Sequence, residues 1–143
     1  MLRSIAYVSR ATRVFTPEQL DTLLTHARLY NASVGVTGVL FLRKDRFFQY
    51  LEGPAEGVQS VFQRVSQSTS HAEIQVLLDL EARRHYFSTW HMGFCEPPET
   101  EMQQLANASW DQAMPITRDE FEGSQGLSLV VYYWNKWISD RNG

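Results

Sequence analysis

One cysteine, Cys95, is the only thiol in the 143 residues. That excludes an internal disulfide and points to a reducing compartment, most simply the cytoplasm. Positive charge is not in excess either. Lys and Arg number 13 against 16 Asp and Glu, a formal net charge of −3, so nothing electrostatic draws the chain to nucleic acid. Long apolar runs are missing: stretches such as Val39 to Leu42 are far too short to cross a bilayer. Met1-Leu2-Arg3-Ser4 passes straight into a strand-like segment, with neither a signal-peptide core nor a cleavage site. His26, His71, His85 and His91 have no Cys or His neighbour at ligand spacing, so no metal site is expected. A P-loop, a dinucleotide fingerprint and a Gly-x-Ser-x-Gly elbow are all absent, which removes the commonest enzyme signatures.

What is present is a chain with 43% hydrophobic and 20% charged residues, enough for one buried core and too apolar for disorder. Leu2 to Ser9 reads as a strand with Arg3, Ile5 and Tyr7 on one face and Ser4, Ala6 and Val8 on the other. Thr16-Pro17-Glu18-Gln19 signals a helix start with a capping box. Leu20, Leu23, Leu24, Ala27 and Tyr30 then follow at helical spacing, and the helix should end near Asn31. Val36 to Leu42 and Phe47 to Leu51 make a hairpin across Arg43-Lys44-Asp45-Arg46, with Glu52-Gly53-Pro54 as a breaker. Val58, Val61, Phe62 and Val65 mark a second helix, Ile74 to Leu80 a fourth strand and Phe87 to Phe94 a fifth.

The order predicts an α+β fold: a ferredoxin-like β-α-β-β-α-β sheet with one added strand and two helices over one face. Phe48 and Tyr50 point to the opposite face, too much apolar surface to leave wet. The segment after Pro97-Pro98 is the natural cover. It carries Leu105, Ala106 and Trp110, then Leu127, Val130, Val131, Trp134 and Ile138. The last run also suits a strand over Leu129 to Tyr133, but its i, i+3, i+4, i+7 pattern favours a helix. Residues 1–96 are therefore read as the domain, and 97–143 as a helical extension packed on its sheet.

Several polar residues interrupt this plan. Gln49 sits mid-strand between Phe48 and Tyr50, on the helix-covered face, where a carboxamide is costly unless its hydrogen bonds are met. The first and third strands of such a sheet are neighbours, so Tyr7 and Gln49 can meet across the ladder, with Asn31 near the same side. Each residue also has an ordinary explanation. A strand tyrosine often keeps a wet hydroxyl, and an Asn at a helix end is usually a cap. A lone Gln can bond buried water, and Trp90 and Met92 would pass as core residues. Taken singly, both explanations stay open.

In order along the chain, a longer pattern emerges. Tyr7-Val8-Ser9, Asn31, Gly35-Val36-Thr37-Gly38-Val39-Leu40 and Phe48-Gln49-Tyr50-Leu51-Glu52-Gly53-Pro54 are followed by Arg64, His71 and Phe87-Ser88-Thr89-Trp90-His91-Met92-Gly93-Phe94. This pattern resembles the BLUF family of blue-light sensors and spans residues 1–96. The resemblance implies a flavin, usually FAD, between the two helices. It makes Tyr7 the electron and proton donor, Gln49 the amide that switches its hydrogen bonds, and Asn31 the partner of the ring's C4=O and N3–H edge. Arg64 would lie near the C2 carbonyl and His71 beside the ring, while Trp90 and Met92 would relay the signal. The family often has an acidic and a basic residue before the histidine, where this chain has Ser68-Thr69-Ser70. Arg64 is thus expected to lack a carboxylate partner, and Tyr30 stands where His or Asn is frequent.

The resulting expectation is a non-enzymatic photoreceptor, since residues 97–143 are too few for an effector enzyme domain. Its partners would be the flavin, further copies of itself in a homo-oligomer, and a separate downstream regulatory protein. The rival reading is a ferredoxin-like interaction module that no longer binds flavin. The joint presence of Tyr7, Asn31 and Gln49 weighs against it.

Overall fold

Side-chain alternation along the strands sorts the apolar residues into two cores, one on each face of a single sheet. The computed structural model describes residues 2–82, 87, 92–108 and 125–142. Its elements run β1 (Leu2–Ala11), α1 (Pro17–Ser33), β2 (Thr37–Arg43), β3 (Arg46–Pro54), α2 (Ala55–Gln67), β4 (His71–Ala82), β5 (Gly93–Cys95), α3 (Glu99–Asn107) and α4 (Gln125–Asn142). The strands lie in the order β4-β1-β3-β2-β5. All neighbours are antiparallel except β5, which joins β2 in parallel. This is the expected ferredoxin-like sheet with its added strand.

On one face, Ile5, Leu40, Leu42, Phe47 and Leu51 pack against Leu24 of α1 and Val58 and Val61 of α2. On the other, Ala6, Val39, Phe41, Phe48 and Tyr50 pack against Met102 and Leu105 of α3 and Val130, Tyr133 and Trp134 of α4. Phe41, Phe48 and Tyr50 are fully buried, each contributing about 2–3 kcal/mol of apolar burial. The C-terminal run is therefore helical, and α4 turns Val130, Tyr133, Trp134 and Trp137 to the sheet at i, i+3, i+4 and i+7.

The start of α1 follows the sequence signal: Thr16 Oγ1 accepts from the Gln19 amide, and the Gln19 side chain accepts from the Thr16 amide. Its end differs. The helix continues past Asn31 to Ser33 and turns at Gly35, whose φ of +73° is the left-handed region glycine favours. Asn31 is consequently a helix residue, buried, and not a terminator. Glu52-Gly53-Pro54 does not break β3 either. The strand runs through them and pairs with Leu2 to Ser4. Gly53 permits this because a Cβ there would lie 2.7 Å from the Gly35 carbonyl oxygen. β4 begins at His71, earlier than Ile74. The expected fifth strand over Phe87 to Phe94 is described only as Gly93–Cys95, and residues 88–91, including Trp90, lie outside the described residues. Trp110 lies outside them too.

Candidate ligand cleft

The pairing of β1 with β3 sets Tyr7 directly opposite Gln49. The Tyr7 hydroxyl donates to Gln49 Oε1. On its other side the Gln49 amide nitrogen donates to the Met92 sulfur at 3.5 Å. The two partners set the amide's orientation: its oxygen faces a hydroxyl donor, and its NH2 faces a thioether that can only accept. Both Tyr7 and Gln49 are buried. Burial pushes the Tyr7 hydroxyl well above the ordinary phenol range, so the phenol holds its proton at neutral pH.

His71 flanks this pair from the first residue of β4. Its Nε2 lies 2.7 Å from the Val65 carbonyl and its Nδ1 2.7 Å from Ser9 Oγ. A carbonyl only accepts, so Nε2 carries the proton, and in the neutral ring Nδ1 accepts from Ser9. Both nitrogens are thereby engaged by protein. The ring sits 5.9 Å from that of Tyr7 and 6.1 Å from that of Phe47.

At the rim, the Arg64 guanidinium lies 4.0 Å above the centre of the Tyr30 ring. The Tyr30 hydroxyl is hydrogen-bonded to Ser60 Oγ, which fixes the ring. The arginine that the sequence leaves without a carboxylate thus has an aromatic platform, a cation–π contact.

Between α1, α2 and the sheet these side chains bound a cleft of about 230 Å³. Leu23, Leu24 and Ala27 form one wall and Val61 and Val65 the other, over a floor of Leu40 and Phe47. Tyr7, Asn31 and Gln49 bring polar atoms into this apolar slot, with Asn31 only 2% exposed. Apolar walls with a few convergent amides suit a flat ligand that has one polar edge.

Seven of the eight residues expected at the site line this cleft: Tyr7, Tyr30, Asn31, Gln49, Arg64, His71 and Met92. Trp90 lies outside the described residues. Two participants escaped the sequence reading. Ser9, buried and bonded to His71, was within reach of strand alternation, since it shares a face with Tyr7. Arg28, which donates from Nε to the Met92 carbonyl at 2.9 Å, left no signal in the sequence.

On the sheet's opposite face a second polar group is buried. Glu52, 1% exposed, accepts from the Tyr50 hydroxyl at 3.0 Å and from the Phe87 amide at 2.5 Å, and Ser4 Oγ lies 3.0 Å from the same hydroxyl. Burial, with Glu101 and Glu96 nearby, pushes the Cys95 thiol up, so it is an inert core thiol. Among the described residues no group of three or more His, Cys, Asp or Glu could hold a metal ion. Among them, too, no helix is long and apolar enough to cross a membrane.

Comparison with known proteins gives a consistent set of matches. A family model described as "BLUF: Sensors of blue-light using FAD" matches residues 2–93. The photoactivated adenylate cyclase subunit beta of Euglena longa is 30% identical over 93 residues, 64% of this chain and 11% of its own length. The chain therefore spans about a tenth of that relative. Among solved structures, the dark state of BlrB, a BLUF protein, superposes with a TM-score of 0.63 at 27% identity, covering 73% of this chain and 78% of BlrB. The photo-activated state of BlsA superposes with a TM-score of 0.70 over 96% of this chain and 95% of BlsA. At 23% identity, that second likeness concerns the fold alone.

Proposed function

The chain belongs to the BLUF family, sensors of blue light using FAD, and from that premise we propose that Tyr7 and Gln49 are the photochemical pair of a flavin held in the cleft between α1 and α2. The family binds flavin and senses blue light, and the matched region is a sensing module without catalytic activity of its own. FAD is the proposed flavin, with its ring in the slot and its polar edge toward Asn31 and Gln49. The residues present fit such a ring: two buried carboxamides and a buried phenol converge in a slot whose walls are aliphatic. Arg64 on its Tyr30 platform would reach the C2 side, and His71 would offer a ring face, since both its nitrogens are engaged.

A bound flavin supplies the absorption of blue light and, once excited, an electron acceptor. Tyr7 is placed to be the donor. Its raised pKa keeps the hydroxyl protonated at rest, and were an electron drawn from the phenol, the proton would have an acceptor already in contact, Gln49 Oε1. Once the Tyr7 phenol was whole again, Gln49 would be free to settle with its two ends exchanged, by rotation or by tautomerisation. An amide that has turned presents oxygen where it presented NH2, at unchanged volume. Facing Met92, that oxygen finds a thioether with nothing to donate, so the contact that held in the first orientation is lost. The Tyr7–Gln49–Met92 chain is the observation that carries this reading.

The signal is proposed to leave through Met92 and Trp90 toward the C-terminal helices, and to end in a changed protein contact. That contact would be a homo-oligomer interface or the surface of a downstream regulatory protein, in a reducing compartment such as the cytoplasm. The test is spectroscopic. Purified protein should be yellow, release FAD on denaturation, and shift its blue absorption reversibly to the red under illumination. Tyr7→Phe should keep the flavin and lose the shift, and a normal shift in that variant would remove Tyr7 from the proposed role.

A further inference from the structure

The end of α1 meets the start of α2 at a glycine. A Cβ on Gly57 would lie 2.3 Å from the Val34 carbonyl oxygen and 3.2 Å from Val36 Cγ2, so the first turn of α2 rests on backbone and cannot slide toward α1. About one turn further along each helix stands a second link. Tyr30, four residues before Val34, is hydrogen-bonded through its hydroxyl to Ser60 Oγ, three residues after Gly57. One more turn along α2, the Arg64 guanidinium lies 4.0 Å above the centre of the same ring. Tyr30 and Arg64 line the cleft, and Ser60 stands outside its lining. The Tyr30 side chain thus crosses from one wall of the cleft to the other. Its bond to Ser60 is only part-buried, so water competes for both hydroxyls, and the bond can open and re-form without unfolding either helix.

We infer that the Tyr30–Ser60 bond is a strap across the cleft, and that Ser60, a positioning residue acting through Tyr30, governs how fast the cleft takes up and gives up its flavin. Resting on the flavin-binding reading above, this adds to it a control of ligand exchange and a residue without a role so far. With the vertex fixed at Gly57, the walls can part only further along the helices, and the strap lies across that path. A ligand enters only the fraction of molecules whose strap is open, and it leaves by the same route. A strap that closes over the empty and the occupied cleft alike slows entry and exit by the same factor, leaving the dissociation constant nearly unchanged. A side chain that merely touched the ligand would act differently, changing exit and leaving entry alone. Ser60 separates the two cases. Its loss frees the Tyr30 ring without removing any side chain from the cleft lining.

The test mixes the flavin-free full chain with FAD in stopped flow, follows flavin fluorescence, and then records release on dilution. Wild type, Ser60→Ala, Tyr30→Phe and the double variant are compared. The two single variants remove the same hydrogen bond from opposite ends, and each should raise both the entry and the exit rate by about three- to tenfold. In Ser60→Ala the ratio of the two rates should stay within about twofold of wild type. The double variant should be no faster than either single one, because there is only one bond to lose. Faster exit with unaltered entry overturns the proposal, since the bond then only steadies bound ligand. Wild-type rates in both single variants overturn it as well. So do effects that multiply in the double variant, which mark a general loosening of α2 instead of a shared strap. Wild type that takes up no FAD is a different failure: it removes the flavin-binding reading and this inference with it.

Discussion

At the scale of single residues, the site is a set of donors and acceptors matched one to one. Gln49 is costly to bury in a strand, yet it is held by a hydroxyl at one end and a thioether at the other. The least expected match is Tyr30 with Arg64, where an aromatic ring stands in for a carboxylate. A cation–π contact at a partly exposed site contributes about 0.5–2 kcal/mol. Tyr30→Leu should therefore weaken flavin binding by up to about thirtyfold, measured by fluorescence titration, whereas Tyr30→Phe keeps most of the affinity. Adding Ser68→Asp to Tyr30→Leu places an acid four residues after Arg64, within ion-pair reach at the end of α2, and should recover part of the loss. Unaltered affinity in Tyr30→Leu would show that the platform is incidental to binding.

At the scale of elements, local signals and tertiary contacts divided the work unevenly. The start of α1 was legible because a capping box is purely local chemistry: Thr16 and Gln19 are three residues apart and bond each other's backbone. The facing of Phe47, Gln49 and Leu51 was equally legible from alternation, and so was the meeting of Tyr7 with Gln49. The passage of β3 through Glu52-Gly53-Pro54 was not, because it depends on Gly53 lying against the backbone of Gly35 and Val36, a contact distant in sequence. The left-handed Lys44 at φ 55° in the hairpin was hidden for a similar reason, since the turn carries no glycine to announce it. Arg28 had no signal at all: it reads as one more charge on a solvated helix face. The buried Glu52 belongs at this scale too, since it fastens β3 to the Phe87 backbone ahead of β5. Glu52→Ala withdraws an acceptor from two buried donors and should cost about 2–4 kcal/mol, seen as a lower urea midpoint. A midpoint unchanged within error would mean that water replaces the carboxylate there.

At the scale of the whole molecule, one sheet is shared by two cores, and the cleft belongs to only one of them. Ligand that binds the folded state alone stabilises the whole by mass action. FAD at about one hundred times its dissociation constant should add about 2.7 kcal/mol and raise the melting temperature by about 5–10 °C. ADP, which lacks the ring that the cleft residues address, should add nothing, and equal stabilisation by ADP would argue against the ring-binding slot. The proposed output is also a property of the whole. Size-exclusion profiles of the FAD-bound chain should differ between dark and blue light, and identical profiles would count against an assembly that responds to illumination.

The division of the sheet into two faces has a consequence for how such a protein can change over generations. Odd-numbered positions of β3 look into the cleft and even-numbered ones look toward α3 and α4. Selection acting on colour and on the persistence of the excited signal therefore falls on Gln49 and its neighbours across α1 and α2. Selection acting on what the signal is told to falls on Phe48, Tyr50 and the helices beyond. A lineage can exchange its audience while keeping its photochemistry, one substitution at a time, because adjacent residues of the same strand answer to different pressures.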